Sequence, residues 1–108
     1  MRLDVIQAKV RAKQLRIATH ALTEASKDGI RATDIAYGIL HGTVIERYPE
    51  RNRLLIYATL PAYKLPLHIV CDYTHPDEIV VTTVYIPSRA QWLISRKRKP
   101  LRPRKKNR

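Results

Sequence analysis

The chain has two textures. Up to Gly42 apolar residues recur at the three- and four-residue spacing of a helix face, and after it they alternate with polar residues at period two. Asp4 is placed to cap a first helix over residues 5–13, with Val5, Ile6 and Val10 on its apolar side and Leu15 a further candidate. Residues 14–19 read as extended or irregular. Thr19 is placed to cap a second helix over 20–27, which Asp28-Gly29 ends, and Thr33 a third over 34–41, which Gly42 ends.

Four strands are predicted next, over 43–48, 53–60, 64–73 and 79–86. Pro49, Pro61, Pro76 and Pro87 fall at or near the breaks, where a missing N–H is tolerated. Ser88 is placed to cap a short helical turn carrying Trp92. Pro100 and Pro103 argue against a regular helix beyond it. Helices first and closely spaced strands after predict an α+β fold, in which N-terminal helices cover one face of a four-stranded antiparallel sheet. A single domain over 1–95 is followed by a basic tail over 96–108, and the other sheet face is free to carry working side chains.

Charge sharpens this picture. The 108 residues carry a net +12. Residues 96–108 hold nine basic residues and no acidic one, and residues 1–16 hold five basic residues against Asp4. Residues 17–95 hold seven basic and eight acidic residues, so the middle is nearly neutral. Ends of this kind attract polyanions by counterion release, with little sequence discrimination. A tail that only keeps the chain in solution is the alternative. No apolar run is long enough to span a bilayer or to resemble a secretory leader, which predicts a cytoplasmic protein. With Cys71 the only cysteine, no internal disulfide forms and a cysteine-built zinc site is disfavoured. The three glycines make no phosphate-binding loop, and the four histidines lack metal-ligand spacing.

Candidate chemistry lies in the strands. Alternation puts Leu65, Leu67, Ile69 and Cys71 on one face, turning His68 to the other. In the last strand Val80, Val84 and Ile86 read as core, turning Thr83 and Tyr85 outward. A four-residue loop over 74–77 would pair Tyr73 with Glu78, and so set His68 opposite Thr83 with Tyr85 two residues along. Ordinary strand composition also accounts for a Thr and a Tyr there. His20 opens the second helix with Glu24 one turn later. His41 sits at a helix end and His75 in a turn. Glu46, Glu50, Asp77 and Glu78 read as solvated acids, the Tyr48 ring as packing, and Trp92 as an anchor for the tail rather than a base-stacking ring.

Further marks carry a family resemblance: Thr19-His20-Ala21, Asp28-Gly29-Ile30 and Asp34-Ile35; then Gly42-Thr43-Val44-Ile45-Glu46 with Tyr48-Pro49, and Pro66-Leu67-His68-Ile69-Val70. Thr82-Thr83-Val84-Tyr85, Pro87, Trp92 and Arg96-Lys97-Arg98 close the series. Together they resemble the family called domain of unknown function 4258, itself similar to RelE and barnase-like ribonuclease toxins. The resemblance implies a metal-independent endoribonuclease toxin of a toxin–antitoxin module, with mRNA as substrate, free or on the ribosome. It implies no cofactor, and a protein antitoxin as partner, which in some relatives is of zinc-finger type. Its recurrent polar positions match His20, His68, Thr83, Tyr85 and Arg98. The chain departs from it at Glu24, where many relatives carry Arg, and at Asn52-Arg53-Leu54-Leu55.

Cleavage at a 2′-hydroxyl needs a base, an acid for the leaving 5′ oxygen and a cation for the phosphorane-like transition state. The expected catalytic set is His68 as acid or base, Thr83 and Tyr85 as orienting groups and Arg98 or Arg96 as cation, with His20 secondary. Arg96, Lys97, Lys99, Arg102, Arg104, Lys105 and Lys106 are the expected RNA contacts. Two other readings are a non-catalytic RNA- or ribosome-binding module that uses its basic termini, and a structural subunit that docks through the open sheet face.

Overall fold

A computed structural model describes residues 1–61 and 64–87. The expected turn at Ser88, Trp92 and the basic tail lie outside the described residues. The elements run α1 (Leu3–Arg11), β1 (Leu15–Ile17), α2 (Thr19–Lys27), α3 (Ala32–His41), β2 (Thr43–Tyr48), a 3-10 turn (Pro49–Arg51), β3 (Arg53–Leu60), β4 (Leu65–Asp72) and β5 (Ile79–Tyr85). The sheet order is β1-β5-β4-β3-β2.

The fold is α+β, as expected, and β2 to β5 form the antiparallel meander. The sheet has five strands rather than four, and it is mixed. Residues Leu15, Arg16 and Ile17 pair in parallel with Ile79, Val80 and Val81. Backbone hydrogen bonds at both ends fix the added strand, from Ile79 N–H to the Gln14 carbonyl (2.8 Å) and from Ala18 N–H to the Val81 carbonyl (2.9 Å). Three residues are too few for alternation to register in sequence, so only the tertiary pairing reveals this strand.

The helix starts also differ. α1 begins before Asp4, whose carboxylate lies in the first turn and pairs with Arg2 (2.9 Å). Thr19 is the first residue of α2, and the capping position is Ala18. At α3 the reciprocal bond comes from Asp34, whose Oδ2 accepts the Arg31 N–H (2.9 Å), and Thr33 lies inside the helix. An acidic group in the first turn satisfies otherwise free N–H groups as well as a capping hydroxyl does.

The stop signal at Asp28-Gly29 is borne out in detail. Gly29 adopts φ +75°, its N–H bonds the Ser26 carbonyl, and the Ile30 N–H bonds the Ala25 carbonyl, both at 3.0 Å. This pair of bonds is a Schellman motif, and Ile30 is driven into the core as its apolar clasp. α1 ends in the same way with Lys13 at φ 63°, which the absence of a glycine hid from the sequence.

One cluster joins the helices to the sheet. Ile6 and Val10 of α1, Ala21 and Ala25 of α2, and Ile35 and Ile39 of α3 pack with Leu54, Ile56, Leu67, Ile69, Cys71, Ile79, Val81 and Val84. Val5 is left out, 40% exposed. Val80, expected in the core, pairs with Asp72 on the opposite face, while Ile79 and Val81 are buried. The irregularity that causes this is a bulge at Thr82, which shifts the alternation by one residue between Val81 and Val84.

Two glycines set how closely α3 meets the sheet. A Cβ on Gly38 would come 2.6 Å from Ile69 Cδ1, the movable end of a side chain. A Cβ on Gly42 would meet the carbonyl oxygens of Gly38 (2.5 Å) and Tyr57 (2.6 Å), which are backbone and cannot turn aside. Gly42→Ala is therefore expected to lower stability by about 2–3 kcal/mol, and Gly38→Ala by about 1 kcal/mol or less, because helix propensity offsets part of its clash. Urea unfolding of the two variants checks the order.

Candidate active site

The sheet face opposite the helices is organised by register. Paired residues on neighbouring strands share a face, so the ladder defines rows across it. His68 pairs with Tyr57 of β3 and with Tyr85 of β5, giving the row Tyr57–His68–Tyr85. The next row runs Glu46–Leu55–Val70–Thr83, and a third runs Tyr48–Arg53–Asp72–Val80–Arg16.

His68 therefore does not lie opposite Thr83. The expected four-residue loop would set Asp72 opposite Ile79, but Asp72 pairs with Val80, one residue further along, and the Thr82 bulge adds a second residue. Two one-residue shifts leave His68, Thr83 and Tyr85 on the same face but make Tyr85 the direct neighbour of His68. Thr83 is exposed, one pair along from His68. The Thr82 hydroxyl at the bulge is buried with no hydrogen-bond partner among the described residues.

Within the row the contacts are direct. His68 Nδ1 and the Tyr85 hydroxyl are 3.1 Å apart, and their rings meet edge-on at 5.2 Å. The Tyr57 ring is perpendicular to His68 at 6.2 Å. Its hydroxyl is hydrogen-bonded to Thr59 Oγ1 at 3.0 Å. Glu46 enters from the neighbouring row, where its carboxylate accepts a hydrogen bond from the Tyr48 hydroxyl. Sequence reasoning missed Glu46. A glutamate on an edge strand looks solvated until the register turns it towards tyrosines.

Electrostatics distinguish these groups. His68 is only 3% exposed, and burial pushes its pKa down to about 4, because a protonated imidazole there would lose its hydration. Burial raises the Tyr85 pKa, and the negative charge of Glu46 raises it further. In the third row Asp72 takes Arg53 Nε at 2.8 Å and the Thr74 N–H at 2.8 Å. Burial alone would raise the Asp72 pKa, but these partners hold it below the ordinary value. Arg16 similarly pairs with Glu78 at 2.9 Å.

The remaining candidates lie elsewhere. His20 is exposed on α2 with Glu24 as a charged neighbour, and Glu24 is held low first by Lys27 and then, weakly, by His20. His41 stacks on Tyr37 at 4.2 Å, and His75 Nδ1 accepts the Asp77 N–H in the β4–β5 loop. Buried Cys71 faces the core, and burial raises its thiol pKa to about 12, which removes it as a nucleophile. No His, Cys, Asp and Glu cluster fit to hold a metal occurs among the described residues, and no helix among them is long and apolar enough to cross a membrane. Arg96, Lys97, Arg98, Lys99, Arg102, Arg104, Lys105 and Lys106 lie outside the described residues.

Comparison with known proteins adds the family. The chain belongs to the family described as Domain of unknown function (DUF4258), whose model matches residues 17–86. That span runs from the end of β1 past the end of β5 and includes every residue of the three rows except Arg16. No curated protein matches the chain.

The depressed His68 pKa has a consequence for stability. A histidine kept neutral by the fold takes up its proton more readily when unfolded. Its contribution is full above about pH 6.5 and is lost as pH falls towards 4. At roughly 1.4 kcal/mol per pH unit, the wild type is expected to lose about 3 kcal/mol more than His68→Gln across that interval. Urea unfolding of both proteins from pH 7 to 4 measures the difference.

Proposed function

We propose that this protein is a metal-independent endoribonuclease of toxin type, with its reaction centre on the sheet face that carries Glu46, His68 and Tyr85. The observation that carries the reading is the convergence of a carboxylate, a buried imidazole and a half-buried phenol on one face, with the phenol tied to the imidazole at 3.1 Å. An acid–base reaction needs such groups held together.

The roles follow from their protonation. Glu46 takes the proton from the ribose 2′-hydroxyl. The 2′ oxygen then attacks the adjacent phosphorus, and the bond from phosphorus to the 5′ oxygen breaks. The Tyr85 hydroxyl gives its proton to that leaving oxygen, and the proton held by Glu46 restores the phenol through solvent. The products are a 2′,3′-cyclic phosphate and a 5′-hydroxyl. His68, neutral at pH 7, is a positioning residue that fixes the Tyr85 hydroxyl through Nδ1. Thr83, exposed beside this row, orients the phosphate or ribose, and Arg98 or Arg96 supplies the cation. His20 takes no part in this reading.

In this reading the partners are mRNA, free or on the ribosome, and a protein antitoxin that holds the activity in check. The basic ends supply polyanion affinity and its salt dependence. A non-catalytic module that binds RNA or the ribosome through those ends is the competing account, and it assigns no chemistry to the Glu46–Tyr85 face.

RNA cleavage in EDTA separates the two. The wild type is expected to cleave, and Glu46→Gln and Tyr85→Phe are each expected to slow cleavage about a hundredfold, the usual worth of a positioned acid or base. Equal cleavage by all three would remove both residues from the mechanism. No cleavage by the wild type, with salt-dependent binding that survives both substitutions, would favour the binding module.

A further inference from the structure

The Tyr57 side chain has a posture that the acid–base chemistry does not use. A tyrosine that stands up from a sheet carries its hydroxyl well away from the strand. Tyr57 instead reaches Thr59, two residues along the same face of β3, with 3.0 Å between their oxygens. A ring held in this way leans along its strand towards Thr59, and part of its surface stays open to solvent. Tyr57 is partly exposed, whereas His68 beside it is buried at 3%. The perpendicular contact with His68 (6.2 Å, 87°) braces the ring from the side.

We propose that Tyr57 is a stacking platform for an unpaired nucleobase, and that it restricts the site to single-stranded nucleic acid. This rests on the reading of the same face as a ribonuclease centre. Every base has a π-face that stacks on an aromatic ring, so such a contact recognises a nucleotide without reading its sequence. A base buried within a duplex stack cannot lie down on a ring at the sheet surface. Charge fits the same ligand. The chain carries +12 overall, which draws in the phosphates, while the Tyr57 row itself contributes no acidic side chain. The distances fit too. Tyr57 and Tyr85 lie two strands apart, about 10 Å, which places a base on Tyr57 within a nucleotide or two of the reacting phosphate at Tyr85. Thr59 is then a positioning residue for the ring.

The test uses the full chain and a short fluorescein-labelled single-stranded DNA of mixed sequence, which lacks the 2′-hydroxyl and cannot be cleaved by this chemistry. Fluorescence anisotropy gives its affinity for the wild type, Tyr57→Phe, Tyr57→Leu and Thr59→Val. Tyr57→Phe keeps the ring and is expected to bind within about threefold of the wild type, whereas Tyr57→Leu is expected to bind about tenfold more weakly. Thr59→Val removes the same hydrogen bond from the other side while keeping the ring, and is expected to bind as Tyr57→Phe does. The same DNA as a duplex is expected to bind the wild type and Tyr57→Leu alike. Thermal melting of each variant confirms that it is folded, and Tyr57→Phe carries the comparison because it changes one oxygen. Equal single-strand binding by Tyr57→Leu and the wild type overturns the platform, as does an equal loss on duplex. Because the DNA is not cleaved, the two readings fail separately. Tyr57-dependent single-strand binding without any RNA cleavage would leave the platform standing and remove the enzyme. Cleavage without Tyr57 dependence would do the reverse.

Discussion

The register of β4 against its two neighbours is the constraint on which this structure depends. β4 is the middle strand of five, and its alternation does two tasks at once. Leu67, Ile69 and Cys71 close the core beneath the helices, and His68 between them is held against Tyr57 and Tyr85. A slip of one residue would send His68 into the apolar core and bring Leu67 and Ile69 out. Burial of those side chains, each worth about 1.5–3 kcal/mol, therefore enforces the arrangement of the opposite face. The core fixes the site without touching it.

Much of this was legible in the sequence, because the signals were local. The bounds of β2 and β3 and the stop at Asp28-Gly29 follow from alternation and from a glycine able to take positive φ. The face on which His68 lies was legible for the same reason. What escaped depended on other parts of the chain. β1 has too few residues to show a period, and only its pairing with β5 makes it a strand. The Thr82 bulge leaves no mark in composition, yet it sets Tyr85 rather than Thr83 opposite His68 and takes Val80 out of the core. Glu46 gained its meaning from a second bulge, between Val44 and Glu46, which turns its side chain towards the row above Leu55. Bulges commonly re-aim side chains beside functional sites, and this face is shaped by two of them.

In the proposed reading, the charge distribution separates affinity from chemistry. The described face is close to neutral, with Arg53 and Arg16 each committed to a carboxylate. The excess of positive charge belongs to the ends of the chain. Steering by the ends acts over a Debye length and weakens with salt, whereas the acid–base groups act at contact and are set by burial. This division explains why burial decides the protonation of His68 and Tyr85 more than the net charge of +12 does.

The central claim is that Glu46 and Tyr85 perform the chemistry of an RNA-cleaving toxin. Controlled expression in bacteria tests it most directly, with growth followed and new RNA ends mapped for the wild type and for a Glu46→Gln, Tyr85→Phe double variant at matched protein levels. The account predicts that the wild type arrests growth and produces RNA ends bearing 2′,3′-cyclic phosphates, and that the double variant does neither. Equal arrest by both proteins, or arrest without new RNA ends, would contradict it.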